Sequence, residues 1–213
     1  MAKGFFITLE GPDGGGKSTQ ARLLVEYLKK AGREVVFTRE PGGTPLAEEI
    51  RRVILTPTPE DLAPLAEILL YAAARAQHVQ ELIGPALAAG KIVICERFLD
   101  SSLAYQGYGM GGNLELIRTV NRLAIGGYMP DCTFLLDNDV ENGLDRVTQR
   151  ADATNSDVDR IEARGMAFQL RVRQGYLELA AKESRIIIIN TAQRTIAAVH
   201  DELVAKLARV KLL

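Results

Sequence analysis

The stretch EGPDGGGKST, residues 10–19, follows the apolar run FFITL and places Gly11, Gly16, Lys17 and Ser18 at the spacing G-x-x-x-x-G-K-[ST]. Glycines let a backbone wrap until its N–H groups converge, and a following helix adds partial positive charge. A lysine there reaches the β- and γ-phosphates of a nucleotide, and the hydroxyl can hold Mg²⁺. Pro12, Asp13, Gly14, Gly15 and Thr19 complete the predicted cradle. Asp13 is the misfit, because a carboxylate beside a phosphate site must face something else.

Proteins that hydrolyse or transfer phosphoryl groups on such a loop usually carry an acidic residue at the end of a second buried strand, to organise the metal. The segment KIVICER supplies Glu96, so Ser18 and Glu96 are the predicted magnesium ligands, with Arg97 directly after. A guanine-reading N-K-x-D is absent, and so is an LSGGQ-like signature, which argues against a GTPase and a transporter-type ATPase. The chain offers scattered arginines instead, at Arg39, Arg51, Arg75, Arg97, Arg146, Arg150 and Arg160. A guanidinium fork suits phosphate oxygens and base edges alike. Transfer between two anions needs positive charge on both, so the pattern points to a kinase whose acceptor is itself a phosphate.

These residues need a scaffold. Apolar runs of strand length recur at 5–9, 35–38, 91–95, 132–137 and 185–189, separated by longer segments with helical spacing. That alternation predicts an α/β fold, a five-stranded parallel sheet flanked by helices. After the glycine loop, Ala21, Leu24, Val25 and Leu28 fall at i, i+3, i+4 and i+7, and Gly32 stops the helix. Leu46, Ile50, Val53 and Ile54 mark a shorter helix ended by the prolines of TPTPED, and the next helix is expected to run to about Ala89. The polar stretch QRADATNSDVDR, 149–160, reads as a mobile flap between helices near 140–150 and 162–182.

With 213 residues, one domain over 1–213 is expected. The composition is 47% hydrophobic and 25% charged with a formal charge of -1, which gives no basic excess for binding a nucleic acid polymer. The apolar run near the N-terminus is too short for a signal-peptide core, and no stretch approaches about 18 apolar residues. A cytoplasmic protein with no membrane partner is the expectation. Cys95 and Cys132 sit in apolar runs as small buried side chains, and His78 and His200 form no credible zinc set.

The segments TREPGGTPLAEEIR, LLYAAARAQHV, ERFLDSSLAYQGYG, PDCTFLLD and DRIE, in this order and spacing, resemble the bacterial thymidylate (dTMP) kinase family from about Phe5 to His200. The resemblance implies a P-loop nucleoside monophosphate kinase fold with a lid over 149–160, ATP as donor with Mg²⁺, dTMP as acceptor, and a homodimer. It also implies that Arg97 contacts the acceptor phosphate and the transferring group, with Arg51 as companion, and that Arg39, Glu40 and Pro41 line the same pocket. Tyr71 would stack on thymine and Arg75, one helical turn on, would donate to a thymine carbonyl. Ser102 and Gln106 would complete the base edge, Ser101 would belong to the same pocket, and Tyr105 would crowd out a 2′-hydroxyl. Asp13 would accept a hydrogen bond from the deoxyribose 3′-hydroxyl. With no arginine inside the loop, a lid arginine is expected at the donor phosphates, making Lys17, Arg97 and Arg150 the catalytic set, with Arg146 or Arg160 as alternatives to Arg150. The chain departs from the common family pattern at Glu96, where Asp is usual, and at Tyr71, where Phe is usual.

Two rivals remain at this point. One is a kinase for another nucleotide or a nucleoside, and a nucleoside would not need Arg51 and Arg97 together. The other is a P-loop switch or regulatory ATPase, against which the second-substrate residues count.

Overall fold

A computed structural model describes residues 4–57, 62–154 and 159–210, the side chains of residues 150–154 excepted. Each predicted apolar run forms a strand: β1 (Phe5–Glu10), β2 (Val35–Arg39), β3 (Ile92–Glu96), β4 (Cys132–Asp137) and β5 (Ile186–Asn190). They form one parallel sheet in the order β2-β3-β1-β4-β5. Between and after them run α1 (Lys17–Lys30), α2 (Pro45–Leu55), α3 (Pro64–His78), α4 (Gly84–Ala88), α5 (Leu99–Ser102), α6 (Leu114–Ile125), α7 (Val140–Thr154), α8 (Gly165–Lys182) and α9 (Ile196–Arg209).

Successive strand residues point to opposite faces, so β1 sends Phe6 into one core and Ile7 and Leu9 into the other. Both faces are covered, which is why the strand runs are continuously apolar. On one face Leu24 and Leu28 of α1 and Leu203 and Leu207 of α9 bury fully against Ile7, Ile94 and Phe134. Burying each such side chain contributes about 1.5–3 kcal/mol. On the other, Ile68 of α3, Ile117 of α6 and Val172 and Leu179 of α8 pack on Phe6, Val93 and Leu135. Cys95 and Cys132 are free and buried, as expected.

Two segments differ from the sequence-based expectation, and a third carried none. The helix expected to continue to Ala89 opens into a wide π turn at Val79–Ile83 before α4. Pro85 in α4 has no N–H to give to the helix, and the preceding turn relaxes to the wider spacing. A second wide turn, Leu103–Gly109, follows α5 and carries Tyr105 and Gln106. Finally, α7 runs on through Thr154, so 149–154 is helical and not an irregular loop, because ADAT contains no helix breaker. The rest of the predicted flap, residues 155–158, lies outside the described residues. A short 3₁₀ turn, Glu162–Arg164, precedes α8, which starts at Gly165.

Candidate active site

Ligands of open α/β sheets bind outside the carboxyl ends of the strands, where neighbouring strands lead their chains to opposite sides. Here that place lies beyond β1 and β3, where a cleft of about 890 Å³ is lined by the glycine loop, Glu96, Arg97 and residues of α2, α3 and the wide turn after α5. Gly11 (φ +138°) and Gly14 (φ +71°) take the left-handed backbone region, and a Cβ at either would strike the carbonyl of Leu136 or of Gly143. The loop can therefore lie flat against its neighbours. At the start of α1 no side chain caps the helix and its first turn carries no acid, which leaves its N–H groups for an anion.

Lys17 is buried, and its Nζ donates to the carbonyls of Gly11 (3.1 Å) and Pro12 (2.7 Å). Burial, reinforced by Arg97, pushes its pKa down to about 8. Ser18 Oγ donates to Glu96 Oε1 at 2.9 Å, so the predicted metal ligands are adjacent. The pair fits magnesium, which keeps several waters and asks for only one or two protein oxygens beside the phosphates. No cluster of three or more His, Cys, Asp or Glu suited to a metal occurs among the described residues.

Arg97 is the hub of the cleft. Its backbone is left-handed (φ +65°), a region costly for a residue with a Cβ. Nη1 donates to Gly11 O (3.1 Å), Ser101 Oγ (3.3 Å) and Tyr176 OH (3.3 Å), while Nη2 donates to Asp13 and to Tyr105 OH (3.1 Å). Asp13 also accepts from Tyr105 OH and Gln169 Nε2, both at 3.0 Å. Burial alone would raise the Asp13 pKa, but Arg97 and Lys17 outweigh it and hold the carboxyl below its ordinary value. The misfit carboxylate thus faces away from the phosphate cradle, toward the second half of the cleft.

Behind Arg97 lies Glu10, fully buried and not assigned a role from sequence. It accepts from Phe98 N (2.7 Å), Ser101 Oγ (2.6 Å) and Tyr176 OH (2.8 Å). Burial and the neighbouring Asp100 push its pKa up to about 7, against the opposing pull of Ser101, Arg97 and Tyr176.

The second half of the cleft holds the remaining predicted residues. Arg75 is only 1% exposed; its Nε donates to Glu40 Oε2 (2.8 Å), Nη1 to Asn121 Oδ1 (2.6 Å) and Nη2 to Phe98 O (3.1 Å). Glu40 also pairs with His78 Nδ1 (3.2 Å), so it fixes the wall from behind as well as lining it. The Glu40–Pro41 peptide is cis, and Pro41 O accepts from Arg39 Nη1 (2.8 Å) and Arg51 Nη1 (3.0 Å). Tyr71 is half-buried against the cleft, and burial raises its pKa. Ser102 and Gln106 are buried, and Ser102 Oγ and Gln106 Oε1 have no partner among the described residues.

The three arginines expected to serve the lid separate clearly. Arg146 lines the cleft and donates from Nη1 to Gly14 O at 3.2 Å. Arg160 is anchored elsewhere, by Ile54 O (2.9 Å) and Glu67 Oε2 (2.8 Å). The side chain of Arg150 lies outside the described residues. Sequence reading missed Glu10, Glu67, Gln169 and Tyr176. Only Glu10 carried a signal, as an acid closing a buried strand; the others reach the site through the packing of α3 and α8.

Known proteins share this architecture. The sequence profile of thymidylate kinase matches residues 9–203. A thymidylate kinase of Halothermothrix orenii is 50% identical over 204 residues, covering 96% of each chain. One of Trichlorobacter lovleyi is 49% identical over 208 residues, 95% of this chain and 98% of that one. The crystal structure of thymidylate kinase from Ehrlichia chaffeensis superposes with a TM-score of 0.77 at 38% identity, covering 97% of this chain and 99% of that one. A profile matched over nearly the whole chain, and half of all aligned residues shared with a full-length relative, place this chain in the thymidylate kinase family.

Proposed function

We propose that this protein transfers the γ-phosphoryl group of ATP to dTMP, giving ADP and dTDP, as one domain over 1–213 with a lid near 149–160. One observation carries the reading: a single cleft joins the glycine loop to a pocket of Arg51, Tyr71, Arg75 and Gln106, with the Asp13–Arg97 pair at their border. A phosphate cradle alone would serve hydrolysis, whereas two charged halves meeting at one arginine suit transfer between two anions.

In the reaction the P–O bond to ADP breaks as a bond to the dTMP phosphate oxygen forms, through a loose transition state that calls for positioning and charge more than for a general base. Lys17 and the helix N-terminus hold the donor phosphates, while Arg97 and Arg51 draw the acceptor phosphate in and offset its repulsion from the donor. Ser18 and Glu96 would hold Mg²⁺, which when bound neutralises charge on the β- and γ-phosphates. Arg146, already on the glycine loop, is the described lid arginine best placed to join them, beside the expected Arg150. Asp13 takes the 3′-hydroxyl, Tyr71 stacks on thymine, Arg75 donates to its carbonyl, and Tyr105 stands where a 2′-hydroxyl would go. Ser101 acts from behind, between Glu10 and Arg97.

We read the enzyme as cytoplasmic; no helix among the described residues is long and apolar enough to cross a membrane. A homodimer is supported by exposed apolar side chains on adjacent helices, Leu46 and Val53 on α2, Leu65 and Leu69 on α3, Leu116 and Leu123 on α6. A coupled ADP-release assay with ATP and a panel of monophosphates and nucleosides tests the reaction. Turnover should rise sharply with dTMP and fall away with nucleosides lacking a phosphate. Slow turnover indifferent to every acceptor would mark a regulatory ATPase instead.

A further inference from the structure

Glu67 of α3 stands behind the cleft wall, fully buried, and phosphoryl transfer makes no direct use of it. Its Oε1 accepts from Gln106 Nε2 (3.0 Å) and Arg164 Nη1 (3.3 Å), and its Oε2 from Arg160 Nη2 (2.8 Å) and Arg164 Nη2 (2.7 Å). Burial would raise its pKa, but the bonds from Arg164, Gln106 and Arg160 outweigh it and hold the carboxyl below its ordinary value. An ionised carboxylate only accepts. Gln106 has one donor end and one acceptor end, and Glu67 can be met only by the NH₂ end. The carbonyl Oε1 is left as the uncommitted end, buried and with no partner among the described residues, on a side chain that lines the cleft with Tyr71 and Arg75.

Resting on the thymidylate kinase reading above, we infer that Glu67 is a positioning residue that sets base specificity: by holding the NH₂ of Gln106 it fixes that side chain as a hydrogen-bond acceptor toward the base. Arg75 is donor-only, so the two together offer one donor and one acceptor. Thymine and uracil answer with a carbonyl at position 4 and an N–H at position 3. Cytosine presents an amino group and a bare ring nitrogen, mismatched at both places. A site whose buried polar groups are left unpaired by the wrong base rejects it strongly.

The substitution Glu67→Gln inverts one half of this pattern. Two arginines then compete for the single remaining oxygen of residue 67, its NH₂ turns toward Gln106, and Gln106 must answer with its carbonyl. The Gln106 NH₂ would now face the base.

The test is kcat/KM for dTMP, dUMP and dCMP with wild-type enzyme and Glu67→Gln. The ratio of dTMP to dCMP should fall by at least about tenfold, while the ratio of dTMP to dUMP, whose bases share the N–H, should stay unchanged. A merely structural role would lower all three acceptors together and leave both ratios alone, and that result overturns the inference. Should the variant fail to fold, the wild-type enzyme labelled with ¹³C and ¹⁵N decides: on adding dTMP the Gln106 side-chain carbonyl carbon should shift while its NH₂ protons hold their place. Movement of the NH₂ signal with a static carbonyl would refute the assignment. Wild-type enzyme indifferent to all three nucleotides would instead defeat the proposed reaction, a distinct outcome.

Discussion

At the scale of single residues, Lys17 sets the charge of the proposed donor site. Its pKa of about 8 comes from burial and from Arg97 beside it, and the charged form exists below that value. In the free enzyme kcat/KM for ATP should therefore fall as pH rises through about 8, approaching tenfold per pH unit beyond it. Bound phosphates favour the ammonium, so kcat should decline only at higher pH. A pH–rate profile for kcat/KM that stays flat to pH 9.5 would contradict the lowered pKa of Lys17. The residues legible in the sequence were those whose chemistry follows from contiguous spacing: Gly11, Gly16, Lys17 and Ser18 lie on one loop, and Glu96 and Arg97 close one strand. Glu67 and Gln169 were not legible, because what matters about them is a contact with Gln106 or Asp13 made across the fold.

Among the elements, β5, β4 and α5 are tied by one buried ion pair. Arg185, just before β5, donates from Nη1 to Asp100 Oδ2 (2.8 Å) and Thr133 Oγ1 (2.7 Å), and from Nη2 to Asp100 Oδ1 (2.7 Å). Asp100 is fully buried, so Arg185→Ala strands its charge and should cost about 3–5 kcal/mol, read as a lower urea midpoint with little change in slope. Asp100→Asn in the same background should restore part of the loss. The strands and most helices were legible because a parallel sheet covered on both faces needs unbroken apolar runs, of which IVIC in β3 and CTFLL in β4 are clear cases. The wide turns were not: at Val79–Ile83 the one signal, Pro85, stands beyond the turn it widens, and at Leu103–Gly109 the i→i+5 spacing has no composition of its own and is set by the packing around it. The second of these turns carries Tyr105 and Gln106 into the cleft, so the least legible element holds part of the proposed base and sugar site.

For the whole molecule, the question is what covers the exposed leucines of α2, α3 and α6. If a second copy covers them, Leu69→Glu should convert the dimer to monomer, measured as a halving of mass by analytical ultracentrifugation. A wild-type protein that sediments as a monomer at tens of micromolar would refute the homodimer. Helix α3 turns Leu65 and Leu69 outward while its Tyr71 and Arg75 line the cleft at the proposed base site, within three turns of each other. In the proposed dimer the same rod would be wall for the nucleotide and floor for the neighbouring copy. Activity measured per milligram would then depend on how dilute the enzyme is: below the concentration at which copies separate, α3 loses its outer support and apparent affinity for dTMP drops first. Assays at nanomolar and micromolar enzyme would describe two different catalysts made from one chain.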